Sequence, residues 1–208
     1  MRSTDPIDEP LAEAELLDDP IEQLRRWMDD ARAGGIPLPE AAALATADAD
    51  GRPSVRHVLI RGLDRRGAVF YTNYDSRKGA DLAENPYAAV TVLWRELDRQ
   101  ASFRGPVERI TSRESEAYFR TRPREARIGA WASMQSRPVA SREELERRYR
   151  EIDERYPGDD VPLPPHWGGF LVRPETFEFW KGRRHRLHDR FRYTRSTSGD
   201  WTIERLYP

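Results

Sequence analysis

Two blocks of this chain, residues 42–108 and 169–206, break into short apolar runs, most of them closed by a turn signal. Such runs read as strands rather than helices, and their number sets the fold class. The first block gives strands over 42–47, 54–61, 68–72, 88–94 and 101–108. Asp48-Ala49-Asp50-Gly51 and residues 64–67 supply turns, and the charged segment 95–99 joins the last two strands as a hairpin. The second block gives strands over 169–172, 176–180, 189–193 and 201–206, with a turn at Ser198-Gly199-Asp200. No glycine-rich dinucleotide loop or phosphate-binding loop appears, which disfavours a Rossmann fold. The expectation is a mainly β, α+β fold, a closed or nearly closed barrel with helices packed outside it.

The helices announce themselves by their ends. Asp19 can cap a first helix that has Pro20 at its first position, Glu22 where a capping-box carboxylate would sit, and Gly34-Gly35 past its end. Ile21, Leu24, Trp27, Met28 and Ala31 form its apolar stripe. A short helix is expected over 78–84, stopped by Asn85-Pro86. Thr111 with Glu114 caps a helix over 112–120, Pro123 opens another that runs to 132, and Ser141 with Glu144 caps one that reaches Tyr156. Its stripe is Leu145, Tyr149, Ile152 and Tyr156. Trp27, Trp131 and Trp167 read as core or interface residues.

Length and charge narrow the class. The 208 residues suffice for one domain with a substantial core: residues 1–18, acidic and without periodicity, read as a mobile arm, and 19–208 as a single domain. Thirty-five Lys and Arg against 36 Asp and Glu, a net charge of −1, argue against general nucleic-acid binding. No apolar run approaches the ~20 residues a membrane span needs, and the first 19 residues are too acidic for a signal peptide, so a cytoplasmic protein is expected. With no cysteine, disulfides and thiolate chemistry are excluded. His57, His166, His185 and His188 show no metal-ligand spacing, so no metal is expected.

Two clusters carry chemistry. In an extended segment Arg186, His188 and Arg190 would share one face, close to Phe179-Trp180. Two fixed cations, an imidazole and a large aromatic suit a flat anionic ligand; an exposed basic strand is the other reading. The second cluster is Tyr71-Thr72-Asn73-Tyr74-Asp75-Ser76-Arg77-Lys78-Gly79. Here a strand end delivers hydroxyls to a helix start that bears two cations. Free N–H groups at a helix N-terminus attract anions, which makes a phosphate cradle, although an ordinary solvated helix start has the same look. Gln135-Ser136 and Arg99-Gln100 are weaker candidates.

Taken in order, Arg56-His57-Val58-Leu59-Ile60, Tyr71-Thr72-Asn73, Ser76-Arg77-Lys78-Gly79, Asn85-Pro86, Arg99-Gln100, Tyr118-Phe119, Arg122-Pro123, Ile128-Gly129-Ala130-Trp131, Gln135-Ser136, Trp167-Gly168-Gly169, Glu178-Phe179-Trp180 and Arg186-Leu187-His188-Asp189-Arg190 resemble the pyridoxine/pyridoxamine 5′-phosphate oxidase family from about residue 20 to 208. The resemblance implies an FMN-binding split β-barrel with peripheral helices, working as a homodimer with the flavin between subunits. It implies oxidation of pyridoxine 5′-phosphate or pyridoxamine 5′-phosphate to pyridoxal 5′-phosphate by hydride transfer from C4′ to the flavin, with O2 as acceptor and H2O2 released. On the family pattern Arg56, Val58, Leu59, Tyr71, Thr72, Ser76, Arg77, Lys78, Gln100, Gln135, Ser136, Trp180 and Arg190 hold FMN. Tyr118, Arg122, Arg186 and His188, with Arg61, hold the substrate, and Arg186 and His188 stand closest to the chemistry.

Three positions depart from the pattern. Arg61 stands where the family has a lysine, Ala126 where it has a serine on the substrate phosphate, and the arm lacks a basic, tyrosine-containing lid. Those departures keep two alternatives open: a related FMN-dependent oxidase acting on a phenazine-type intermediate, or a non-catalytic flavin- or tetrapyrrole-binding split barrel.

Overall fold

Why these residues form these elements is clearest at the helix starts. The computed structural model describes residues 6–208. Helix α1 (Pro20–Ala33) opens with the Asp19 side chain accepting from the Ile21 N–H at 2.8 Å. Glu22 does not close a capping box; it pairs with Arg25 at 3.2 Å. Helix α2 (Arg77–Glu84) is capped by Ser76, and α3 (Ser112–Thr121) by the full Thr111–Glu114 box. α4 (Arg124–Ala132) follows Pro123, and α5 (Arg142–Arg155) takes Ser141 as its cap. The α5 stripe is only half-buried; α5 packs on α4, where Arg148 donates to the Ala132 carbonyl at 3.1 Å.

The strands are β1 (Ala41–Ala47), β2 (Pro53–Leu59), β3 (Gly62–Asp64), β4 (Gly67–Asn73), β5 (Tyr87–Trp94), β6 (Arg99–Arg109), β7 (Trp167–Val172), β8 (Thr176–Lys181), β9 (Asp189–Arg195) and β10 (Trp201–Arg205). They pair antiparallel in the order β10-β9-β8-β6-β5-β1-β2, while β7 joins β6 to β4 and β4 pairs with β3. The strand expected over 54–61 is broken. Ile60 donates its N–H to the Glu40 carbonyl and Arg61 donates to the Val69 carbonyl, so the chain changes partner from β1 to β4. That change closes β1, β5, β6, β7, β4, β3 and β2 into a barrel, the barrel read from the strand pattern, and β8 to β10 extend the sheet beyond it, as the split barrel implied by the family resemblance requires.

β6 serves both parts. Residues 99–104 pair with β8 and residues 107–109 with β7. At the change of partner, Gly105 lies under the β7–β8 link, where an added Cβ would sit 1.9 Å from the Arg173 carbonyl oxygen. The link is held on both sides, by Arg173 N–H to the Pro106 carbonyl (2.8 Å) and Glu175 N–H to the Arg104 carbonyl (2.9 Å).

The core follows from the alternation along these strands. Leu44, Val90, Val92, Trp94, Ala101, Phe103, Phe177, Phe179, Phe191 and Tyr193 are buried inside, and α1 closes the end. Trp27 meets Phe179 edge-on at 5.1 Å and Trp94 at 6.2 Å. Burying a side chain of this size removes about 150–250 Å² from water, so this aromatic cluster is the main anchor of α1.

Of the arm expected over 1–18, residues 1–5 lie outside the described residues. Residues 6–18 run along the barrel with two short 3-10 turns, at Pro6–Asp8 and Glu13–Glu15. Leu11 is buried, the Tyr193 hydroxyl donates to the Leu17 carbonyl at 2.9 Å, and Arg26 donates to the Glu15 carbonyl at 2.6 Å. Among the described residues no helix is long and apolar enough to cross a membrane.

Candidate active site

β4 and α2 build one wall of a large cleft, a cavity of ≈ 1210 Å³ that opens between the barrel and helices α3 and α4. β4 delivers Tyr71 and Thr72, and the Ser76 cap turns the chain so that Arg77 and Lys78 fall in the first turn of α2. Lys78 is buried, yet among the described residues its ammonium meets only neutral oxygens: Gln135 Oε1 at 2.9 Å, Thr72 Oγ1 at 3.1 Å and Ser76 Oγ at 3.3 Å. Burial, helped by the nearby Arg56 charge, lowers its pKa from 10.5 to about 8. A buried cation without a carboxylate is a costly arrangement that an anion relieves.

The neighbouring cations are treated differently. Buried Asp81 accepts from Thr46 (2.6 Å), Ser54 (2.8 Å) and Arg77 (2.8 Å), and lies 3.7 Å from Arg56. These hydrogen bonds hold its carboxyl below the usual range even though burial opposes it. Asp81 therefore fixes Arg56 and Arg77 while leaving Lys78 uncompensated. Nothing in the sequence marks Asp81 for this task; its spacing from Arg77 only suggests an ordinary helical pair.

From Tyr71 the lining continues into an aromatic stack. Tyr71 and Tyr118 stack with centroids 3.8 Å apart, and Trp167 lies parallel to Tyr118 at 6.3 Å. Arg122, at the end of α3, lies 4.8 Å over the Trp167 ring, and its Nη1 is buried with no hydrogen-bond partner. Burial lowers its pKa, and the charge of nearby Arg61 adds to that; Tyr118 acts the other way. Arg61 itself donates to Glu40 at 2.9 Å. Trp167, expected in the core or an interface, is buried but lines this cleft; His57 and Asn73, which the sequence motifs include without giving them a role, line it too. Asn73 holds the far rim, donating to the Ser133 carbonyl at 3.3 Å. Among the described residues no group of His, Asp and Glu is placed to hold a metal ion.

The cleft thus gathers Arg56, Val58, Leu59, Arg61, Tyr71, Thr72, Arg77, Lys78, Tyr118, Arg122, Gln135 and Ser136, from segments scattered over 80 residues of sequence. Ser76 lies behind it, buried, with its hydroxyl donating to the Asn73 carbonyl at 2.7 Å. Gln100, Trp180, Arg186, His188 and Arg190 do not line it. Gln100 on β6, Trp180 on β8 and Arg190 on β9 form a second group, Gln100 opposite Trp180 and Trp180 opposite Arg190, with Arg186 and His188 in the link between β8 and β9. Trp180 packs on His188 at 4.6 Å, and Arg190 donates to Glu178 and to the Tyr207 carbonyl (2.8 and 2.9 Å).

The extended geometry expected for Arg186 does not occur. Residues Arg184–Arg186 form a 3-10 turn, His185 and Arg186 have φ of 59° and 62°, and β9 begins only at Asp189. Simple alternation therefore does not put Arg186 on the Arg190 face. Within the turn, the Arg183 N–H donates to His188 Nδ1 at 3.1 Å, which leaves Nε2 as the protonated nitrogen of a neutral ring.

Residues 28–156 match the family model described as pyridoxamine 5′-phosphate oxidase, and residues 167–208 match the pyridoxine 5′-phosphate oxidase C-terminal dimerisation region. A pyridoxine/pyridoxamine 5′-phosphate oxidase of Salinibacter ruber is 54% identical over 200 residues, covering 95% of this chain and 93% of that protein. One of Nostoc punctiforme is 50% identical, covering 96% and 94%. The crystal structure of PhzG from Burkholderia lata 383 in complex with tetrahydrophenazine-1-carboxylic acid superposes with a TM-score of 0.91 at 32% identity, covering 98% of this chain and 100% of that one. With one family model covering residues 28–156, which supply most of the cleft, and a second covering Trp167 and the strands that follow, the chain belongs to the pyridoxamine 5′-phosphate oxidase family.

Proposed function

We propose that the chain is an FMN-dependent oxidase that converts pyridoxine 5′-phosphate or pyridoxamine 5′-phosphate to pyridoxal 5′-phosphate. The observation that carries this reading is a single cleft with two unmet cations on different elements, Lys78 in α2 and Arg122 at the end of α3, across a stacked aromatic wall. Two phosphorylated, flat ligands match that demand: one for the cofactor and one for the substrate.

Lys78, with Arg77, Thr72, Gln135 and Ser136, suits the cofactor phosphate through charge-assisted hydrogen bonds. Arg56 is fixed by Asp81, so it lends positive potential to that end. Arg122, with Tyr118, suits the substrate phosphate, and Trp167 stiffens Arg122 by lying against its guanidinium. Held there, FMN would supply the redox chemistry: the substrate C4′ would give up a hydride and its hydroxyl or amine a proton, O2 would take the two electrons and two protons as H2O2, and the imine formed from an amine would take up water and release ammonia. The chain's task is to keep the two ligands at reacting distance.

The match to a dimerisation region supports a homodimer. One face of the β2-β1-β5-β6-β8 sheet also bears exposed Val55 and Leu93, the latter opposite Gln100. A second copy laid on that face would bring its Gln100, Trp180, Arg186, His188 and Arg190 to complete the site. Arg190 would then lie at the flavin, and Arg186 and His188 at the substrate ring.

Anaerobic mixing of the FMN-loaded protein with pyridoxine 5′-phosphate tests the reading. Bleaching of the oxidised flavin band, reversed by air with pyridoxal 5′-phosphate formed, is expected. A band that persists overturns the substrate assignment. Two observations favour a second reading, a phenazine-type substrate: Glu40 occupies Arg61, and Ala126 adds no hydrogen bond to the phosphate end. Under that reading a tricyclic carboxylate, not pyridoxine 5′-phosphate, bleaches the flavin.

A further inference from the structure

Asp189 is the first residue of β9 and follows His188 directly. Its carboxylate, 15% exposed, is shared among three segments. Oδ1 accepts from Arg205 at 2.8 Å in β10, Oδ2 accepts the Leu11 backbone N–H at 3.1 Å, and Arg183 lies 3.7 Å away across the turn. Leu11 is buried beside this contact, so the main chain of the arm is seated and not merely adjacent. Three residues earlier, Asp8 accepts two hydrogen bonds from Arg184, at 2.6 and 3.1 Å. The arm therefore grips the turn at both ends: Asp8 at its start, through Arg184, and Leu11 at its finish, through Asp189.

What lies between these grips is unusual backbone. His185 and Arg186 are successive non-glycine residues in the left-handed region, with φ of 59° and 62°. L-residues keep that conformation only where surroundings over-determine it, because Cβ crowds the following carbonyl. The turn's own bonds are sparse: Leu187 N–H to the Arg184 carbonyl at 3.3 Å, and Arg183 N–H to His188 Nδ1. The arm supplies the missing constraint.

The geometry points to Asp189, with the strap of residues 8–11 that it captures, as the positioning device that sets Arg186 and His188 for substrate. This rests on the assignment of those two residues to the substrate given above. Asp189 acts through the turn, by its contacts with Leu11, Arg205 and Arg183. A displacement of about 1 Å at a substrate-orienting group can cost up to ~100-fold in turnover, so loss of the grip is expected to be visible.

The test uses the full-length FMN-loaded protein and four variants: Asp189→Asn, Asp189→Glu, Asp8→Asn and Arg186→Ala. KM and kcat for pyridoxine 5′-phosphate are measured beside the FMN dissociation constant from fluorescence quenching. Asp189→Asn and Asp8→Asn are expected to raise KM about three- to tenfold with FMN affinity within about twofold of the parent, and Asp189→Glu to recover part of the loss. Unchanged KM in both Asn variants, while Arg186→Ala is impaired, overturns the strap and leaves the functional reading standing. Parental kinetics for Arg186→Ala overturns the reading beneath it. If Asp189→Asn does not fold, the peripheral Asp8→Asn decides alone. Weakened FMN binding in parallel with KM makes Asp189 a structural residue and removes the proposal.

Discussion

Lys78 is the residue on which the proposed cofactor end turns, and its burial has a sign that can be checked. Its pKa is about 8 in the folded chain against 10.5 for an ordinary lysine. Below about pH 8 both folded and unfolded chains carry the proton, and the folded state bears the full cost of a buried charge. Between about 8 and 10.5 the unfolded chain binds more protons than the folded one, so stability rises with pH, by up to about 3 kcal/mol from this group. Lys78→Met is therefore expected to raise the melting temperature of the flavin-free protein at pH 7 while weakening FMN binding at least tenfold. A lower melting temperature would show that Lys78 is already compensated. FMN affinity of the parent protein, followed by fluorescence titration, is expected to fall as pH rises through about 8, because the anion seeks the protonated lysine. Lys78 was legible in the sequence as one of two cations at a helix start. Its isolation from carboxylates was not, since Asp81 chooses Arg56 and Arg77 through contacts between β1, β2 and α2 that no local spacing reveals.

At the level of elements, what is local was legible and what is imposed from across the sheet was not. The caps Asp19, Ser76, Thr111 and Ser141 all act as their neighbours in sequence require. The break between β2 and β3 and the left-handed turn at 185–186 escaped notice because partner strands and the arm dictate them. So did the division of labour along β6. Gly105 looks like a weak point in a strand, yet its lack of a side chain is what allows the β7–β8 link to cross. Gly105→Ala is expected to destabilise the fold by roughly 2–4 kcal/mol, because a Cβ would collide with main chain that is hydrogen-bonded on both sides. Urea unfolding measures it; a change below about 0.5 kcal/mol would mean that the link is free to move.

For the whole molecule, the candidate residues fall into two groups: a cleft between barrel and helices, and a surface on β6, β8 and β9. The motifs of both groups were legible in the sequence. Their separation within one chain was not, since nothing along a sequence says which copy a side chain serves. If each site draws one group from each copy, two inactive proteins can rescue one another. Mixing Lys78→Ala with Arg186→Ala under conditions that exchange subunits is expected to restore up to about a quarter of parental activity: half the dimers are mixed, and each has one intact site of two. No recovery would place both groups in service of a single chain.

The shared strand β6 has a further consequence, for the order in which the molecule comes apart. It pairs with β5 along most of its length, with β8 at one end and with β7 at the other. Opening either half of the sheet must therefore strip hydrogen bonds from the same backbone, which ties the two halves into one cooperative unit. Amide exchange should be slowest in the middle of this strand. Heating should not yield an intermediate that keeps its yellow colour after losing the strands past residue 176.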